Sequence, residues 1–215
     1  MNWLLTKLQE IYRARQLTHY EIELAKAVGA CQSLLDVGCG SGSPIKSFSH
    51  KLHCVGVDAF APSIEKSEKQ GIHKEYHEMK VLDIGKKFGP GSFDCVLATD
   101  LIEHLSKEDG IKLIEMMERI AKKTVIIFTP NGYLPQGKYE NNPWQVHLSG
   151  WTAEEMVGRG YRVIGISGWK PLKGEYAEVR FWPKLFWNNL SEFSQLFVRN
   201  RPEHAFHLLC VKTIS

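Results

Sequence analysis

The sequence predicts an α/β fold built on a mostly parallel sheet, and three observations carry that reading. Short apolar runs of strand length alternate with segments of helical periodicity along most of the 215 residues. The first run, Ser33 to Val37, passes directly into Gly38, Gly40 and Gly42 and then into Ser43-Pro44, which read as a helix N-cap and first helical residue. The second run, Cys54 to Asp58, closes in an acid about 20 residues after the first glycine, where a carboxylate can accept from both hydroxyls of a ribose. Strand, glycine turn and helix start together make the polar-ligand loop of open α/β sheets.

Size and composition narrow the class. The chain reads as one domain over 1–215, with 43% apolar and 24% charged residues, both ordinary for a globular protein. A formal charge of +3 is too small to argue for nucleic acid. No apolar stretch reaches the roughly 18 residues of a membrane span, and 1–16 is broken by charges and lacks a signal-peptide core. The five cysteines form no C-x-x-C pair, so reduced thiols in a cytoplasmic protein are expected.

The elements follow in order. Residues 2–15 read as a helix with Leu4, Leu8, Ile11 and Tyr12 on one face. Residues 18–29 read as a second, with a Thr18/Glu21 capping box and Gly29 as terminator. Together 1–30 form a helical flap, structural or a lid that brings Tyr12 or Tyr20 to the ligand. A helix is expected over 43–51, another over 63–70 and a strand over 76–82. The fourth strand, 92–98, runs into Thr99-Asp100-Leu101-Ile102-Glu103-His104-Leu105. Ser106 caps a helix over 107–121, and 124–128 is a fifth strand. Residues 131–150 have no periodicity and are rich in polar and aromatic side chains, including Tyr139, Asn141 and Asn142, as substrate loops are. A helix over 153–159 and strands over 160–166 and 205–211 complete the sheet. Between those strands, 168–204 is an aromatic-rich insertion or cap. Its helix, 183–198, gathers Leu185, Phe186, Leu190, Phe193 and Phe197 on one side, for packing on the domain, capping substrate, dimer contact or a membrane surface.

The glycine spacing selects a ligand. A dinucleotide fingerprint needs its third glycine at position 43, which is Ser43 here. The pattern Asp36-x-Gly38-x-Gly40-x-Gly42, with Phe93-Asp94-Cys95-Val96 and Glu103-His104-Leu105 downstream, resembles the class I S-adenosylmethionine (SAM) dependent methyltransferases, in the small-molecule branch of types 11 and 23. The resemblance implies a three-layer Rossmann-like sandwich around a seven-stranded sheet whose last strand runs antiparallel between the fifth and sixth. It implies SAM as cofactor and S-adenosylhomocysteine as product. It places the cofactor on Asp36, Gly38, Cys39, Gly40, Gly42, Asp58 and Ala59, on Asp83 and Ile84 at the adenine, and on Thr99 and Asp100 beside the fourth strand.

Two histidines are candidates for proton transfer, because imidazole titrates near neutrality. His147 stands in the substrate loop and is the preferred base. His104, beside Glu103, is its competitor and could equally fix the loop. No metal is expected: His73/His77 have ligand-like spacing but no third ligand in sequence, and His204/His207 lie too close to a strand start to make a site. The function read is methyl transfer to the oxygen or nitrogen of a small-molecule, sugar or lipid-linked acceptor, without nucleic acid, in a cytoplasmic protein that touches a membrane surface or a second copy through 181–197. The alternatives are an NAD(P)-dependent oxidoreductase and a non-catalytic SAM-fold binding subunit.

Overall fold

The computed structural model describes residues 18–136, 143–174 and 177–215. The expected first helix, with Tyr12, lies outside them, as do Tyr139, Asn141, Asn142 and Tyr176. Helix α1 (His19–Val28) has the expected capping box, Thr18 to Glu21, and ends at Gly29 with φ 54°. Strand β1 (Ser33–Val37) leads to the glycine loop, and β2 (His53–Asp58), α2 (Ala61–Lys69) and β3 (Glu75–Glu78) follow. A short helix α3 (Ile84–Lys87) precedes β4 (Phe93–Thr99), α4 (Lys107–Ile120) and β5 (Ala121–Pro130). The remainder is α5 (Ala153–Gly158), β6 (Arg162–Trp169), α6 (Lys184–Val198) and β7 (Ala205–Thr213).

The seven strands form one sheet in the order β3-β2-β1-β4-β5-β7-β6, parallel except for β7, which runs antiparallel to both neighbours. Strand residues alternate between two cores, as a period of two requires. Leu35, Val37, Val96, Val125 and Ile127 face one core with Leu113, Met117 and Trp151, while Leu34, Cys95, Leu97, Ile126 and Phe128 face the other with Leu24 and Val28. The order reverses between β1 and β4, and ligands of such sheets sit outside the carboxyl ends of the strands at that point.

Two expectations change, and one open choice is narrowed. Residues 43–51 form two 3₁₀ turns, Pro44–Ser47 and Ser49–Lys51, in place of an α-helix. Ser43 does cap the first turn, but Phe48 has φ −133° and breaks the helical path between them. Strand β3 ends at Glu78 rather than at 82, because the chain turns at Val81–Asp83 into α3. Helix α6 turns its aromatic side outward, which sets aside packing of that side on the domain among the four readings. Its domain side is Ser191, Gln195 and Val198, whereas Leu185, Phe186, Leu190, Phe193 and Phe197 are exposed.

This orientation follows from what α6 meets. Its partner is the backbone of β6, whose Gly165 and Gly168 have no side chains to receive an apolar stripe. A Cβ on Gly165 would lie 2.1 Å from the Val198 carbonyl oxygen, and one on Gly168 2.3 Å from that of Ser191. At so close an approach, buried backbone polar groups need partners. Gln195 supplies two: its Nε2 donates to the Gly165 carbonyl at 2.8 Å and its Oε1 accepts from the Gly168 amide at 3.0 Å.

A second close contact fixes the loop that returns from β5. Trp151 is fully buried on α4, where a Cβ on Gly110 would lie 2.5 Å from its ring. Its indole N–H donates to the Ile102 carbonyl at 3.3 Å and to Ser149 Oγ at 3.1 Å, and Lys107 Nζ stands 3.7 Å from the ring centroid. The Leu148 and Ser149 amides both donate to the Glu103 carbonyl, at 2.8 and 3.1 Å. The segment before α5 is thereby held against the end of β4.

Candidate active site

The glycine loop owes its course to β2. The Gly38 and Cys39 amides both donate to the Val57 carbonyl, at 2.7 and 3.0 Å. Gly38 and Gly40 have φ of 71° and 58°, in the left-handed region that side chains disfavour. Gly38 is needed for packing as well, since a Cβ there would fall 2.7 Å from Leu101. A Cβ on Gly40 would meet nothing within 4 Å and would project into open space. The Asp58 carboxylate closes the arrangement: Oδ2 accepts from the Gly40 amide and Oδ1 from the Phe60 amide, each at 2.8 Å. Helix α2 is capped at Phe60 without a side-chain bond, so Asp58 is not its N-cap. Burial raises the Asp58 carboxyl above its ordinary value, and the two amides partly offset this.

The crevice over the strand ends has two connected compartments that share Gly38, Gly40, Asp100 and His104. The smaller, about 140 Å³, is lined by Asp58, Ala59, Lys80, Val81, Leu82 and Trp144 among others. The larger, about 750 Å³, meets Tyr20, Cys39, Gly42, Thr99, Glu103 and His147 among others. Of the residues expected at the cofactor, Gly38, Cys39, Gly40, Gly42, Asp58, Ala59, Thr99 and Asp100 therefore come together here.

Three do not. Asp36 is fully buried beneath the loop, where its Oδ2 stands 2.8 Å from His73 Nε2. It lines neither compartment. Asp83 sits at the surface with an ion pair to Lys86 at 2.6 Å, and Ile84 is in the core. The chain reaches the small compartment three residues earlier, at Lys80–Leu82, because β3 is shorter than its apolar pattern suggests. Cys39 is on the wall, but burial pushes its thiol far above the ordinary range, so it does not serve as a nucleophile at neutral pH. Tyr20 reaches the wall from α1, stacked on Phe128 at 4.0 Å between ring centroids, with its buried hydroxyl unpartnered.

Glu103, His104 and His147 meet on the larger compartment. The His104 and His147 rings are edge to face at 4.7 Å. His147 Nδ1 lies 2.6 Å from the Leu134 carbonyl and His104 Nδ1 3.3 Å from that of Val146. A carbonyl only accepts, so each Nδ1 carries the proton and each Nε2 keeps a lone pair. Burial lowers both imidazoles, and with His147 beside it His104 falls to about 4, so both are neutral at pH 7. Glu103 is 2% exposed, and its Oε2 accepts from Thr129 Oγ1 at 2.9 Å. Its Oε1 has no partner, and burial followed by the Asp100 charge raises this carboxyl well above its usual range. Thr129, near the end of β5, was not assigned a role from the sequence; pairing of β5 with β4 brings it to Glu103. The other histidine pairs separate: His73 is held by Asp36, and His207 Nδ1 lies 2.8 Å from Ser167 Oγ, away from His204.

Residues 35–129 match the family model described as a methyltransferase domain. No curated protein matches the chain. Among solved structures, a SAM-dependent methyltransferase from Archaeoglobus fulgidus is similar at TM-score 0.60 and 17% identity, over 95% of this chain and 93% of that one. Phosphoethanolamine N-methyltransferase 2 of Haemonchus contortus, solved with S-adenosyl-L-methionine, gives 0.57 and 17% over 91% of this chain and 52% of that one. The [4+2]-cyclase SpnF gives 0.56 and 13% over 91% and 81%. These identities establish the shared fold, and the family model identifies the chemistry. Residues 35–129 thus carry a methyltransferase domain, on a fold shared with SAM-dependent methyltransferases.

Gly40→Val is expected to reduce SAM affinity more than about 100-fold in calorimetry, because the side chain fills the space the ligand needs and strains the loop. Gly91→Val is the control, since Gly91 also has positive φ and open space around it but lines neither compartment. Unchanged affinity in Gly40→Val, or an equal loss in Gly91→Val, would show that the glycine loop is not where SAM binds.

Proposed function

We propose that this methyltransferase modifies an oxygen or nitrogen of a small-molecule, sugar or lipid-linked acceptor held in the larger compartment. The observation that carries the reading is the division of the crevice at Gly38 and Gly40, with Asp58 on one side, His147 on the other and His104 between them. In this reading Asp58 holds the ribose, Ala59 and Lys80–Leu82 flank the adenine, and the glycine loop with Thr99 and Asp100 borders the methionine arm. Bound SAM supplies an electrophilic methyl group. The chain's own residues orient the acceptor and handle its proton. Positioning alone can be worth a large part of the barrier.

His147 is the acceptor-side residue favoured for the proton. Its Nε2 lone pair is free at neutral pH, and the hydrogen bond to Leu134 fixes the ring. His104 has the same tautomer one ring away. A positioned base is typically worth about 10²–10⁴ in rate. His147→Ala should therefore lower single-turnover methyl transfer by about that factor once an acceptor is known, with SAM affinity unchanged. Wild-type rates in that variant would remove His147 from the mechanism.

The outward face of α6 supports a membrane-presented acceptor. Trp182, Leu185 and Phe193 are 84%, 77% and 72% exposed, and Phe186, Leu196 and Phe197 continue the patch. Exposed Arg180, Lys184 and Arg201 border it. An apolar helix face edged by cations suits the surface of an anionic bilayer. Among the described residues no helix is long and apolar enough to cross a membrane. The five cysteines are free and buried, which supports a reducing compartment. Wild-type protein should sediment with phosphatidylserine-containing vesicles, and the double variant Phe186→Ser/Phe193→Ser should stay in the supernatant. Wild-type protein that ignores vesicles, or buries the same face in a homodimer, would overturn the membrane reading.

A further inference from the structure

We propose that Glu103, His104 and His147 form a binding site for one divalent transition-metal ion on the acceptor side of the crevice. One ligand atom from each of the three lies within 4.8 Å of the others. A carboxylate oxygen and two imidazole nitrogens suit zinc, iron, manganese or cobalt, with bonds of about 2.0–2.2 Å that draw the three donors together. Three protein ligands leave coordination positions open toward the larger compartment.

The surroundings of the donors support a ligand set over a set of loop-fixing side chains. Both imidazoles donate Nδ1–H to backbone carbonyls, which leaves Nε2 to bind, as in histidines that ligate metals. The bond to Leu134 is the one described for the His147 ring, while His104 also meets the backbone of Gln145 and Asp100. Glu103 Oε2 is oriented by Thr129, while Oε1 is buried and unpartnered. An unpartnered buried carboxylate oxygen is costly. If hydrogen bonding to the loop were the whole role of Glu103, its backbone carbonyl would be enough, since that is the group accepting from Leu148 and Ser149. A cation between the three donors satisfies Oε1 and both lone pairs together.

The inference rests on the methyltransferase reading for its purpose. It narrows the acceptor to an oxygen nucleophile, because a hydroxyl replacing a metal-bound water gives its proton to solvent more readily once the cation stabilises the oxyanion. His147 and His104 would then act on the proton through the ion, and His147→Ala would slow transfer by removing a ligand.

The test needs no acceptor. Protein stripped with a chelator and dialysed is titrated with Co²⁺, followed by visible absorption and calorimetry, beside a separate SAM titration. One equivalent of Co²⁺ is expected to bind with ligand-field bands of a nitrogen- and oxygen-ligated ion. Glu103→Gln and His147→Ala should each weaken Co²⁺ by at least about 10-fold, and Thr129→Val by about 10-fold, all three keeping SAM affinity as evidence of folding. Wild-type protein that binds SAM but no stoichiometric Co²⁺ overturns the metal site, as does equal Co²⁺ binding by the double variant His104→Ala/His147→Ala. Wild-type protein that binds Co²⁺ but not SAM leaves the metal site standing and overturns the methyltransferase reading instead.

Discussion

The Asp58 carboxylate is the constraint on which the site depends. One oxygen accepts from the Gly40 amide and the other from the Phe60 amide. Those two bonds join the turn after β1 to the turn after β2, so two loops from neighbouring strands become one wall. Gly38 and Cys39 add bonds to the Val57 carbonyl in the same place. The Gly40 amide needs this acceptor, because the loop leaves the sheet after the Val57 carbonyl has taken the Gly38 and Cys39 amides. A carboxylate is the effective acceptor here, since bonds to a charged group are worth about twice those to a neutral one. With the wall fixed, the carboxyl ends of β1, β2 and β4 open onto a single crevice.

The opposite side of the crevice is built by longer-range contacts. Trp151, pressed on Gly110, ties the return loop to Ile102, and the amides of Leu148 and Ser149 tie it to Glu103. His147 reaches His104 only because this loop is pinned across the end of β4. Burial then keeps both imidazoles neutral, and backbone carbonyls choose their tautomers. The chemical character of the acceptor side thus comes from main-chain geometry as much as from the residue types.

Local patterns carried much of this to the reader of the sequence. Ser33 to Val37 followed by three alternating glycines placed β1 and its loop, because a short apolar run and a glycine turn are both local signals. Asp58, Thr99 and Asp100 followed from the rule that parallel strands present their ends on one side. Asp36 lines neither compartment, and its partner was not legible, because His73 is distant in sequence. Asp83 and Ile84 fall outside the compartments because the end of β3 depends on where α3 begins, and edge strands have weak apolar patterns. The aromatic stripe of α6 was legible, but not its direction. That depended on Gly165 and Gly168 admitting a helix backbone, with Gln195 to satisfy them. The convergence of Glu103, His104 and His147 was illegible for the same reason, since the third member arrives by a tertiary contact.

The most direct test of this account is the affinity of Asp58→Ala for both SAM and S-adenosylhomocysteine by calorimetry, in protein whose circular dichroism matches wild type. Loss of a hydrogen-bonded charged group predicts weakening of about 1.5–3 kcal/mol for each. The two losses should be equal, because the ligands share the ribose and differ only at sulfur. Unchanged affinity, or a loss confined to SAM, would contradict the assignment of Asp58 as the organising residue of the cofactor site.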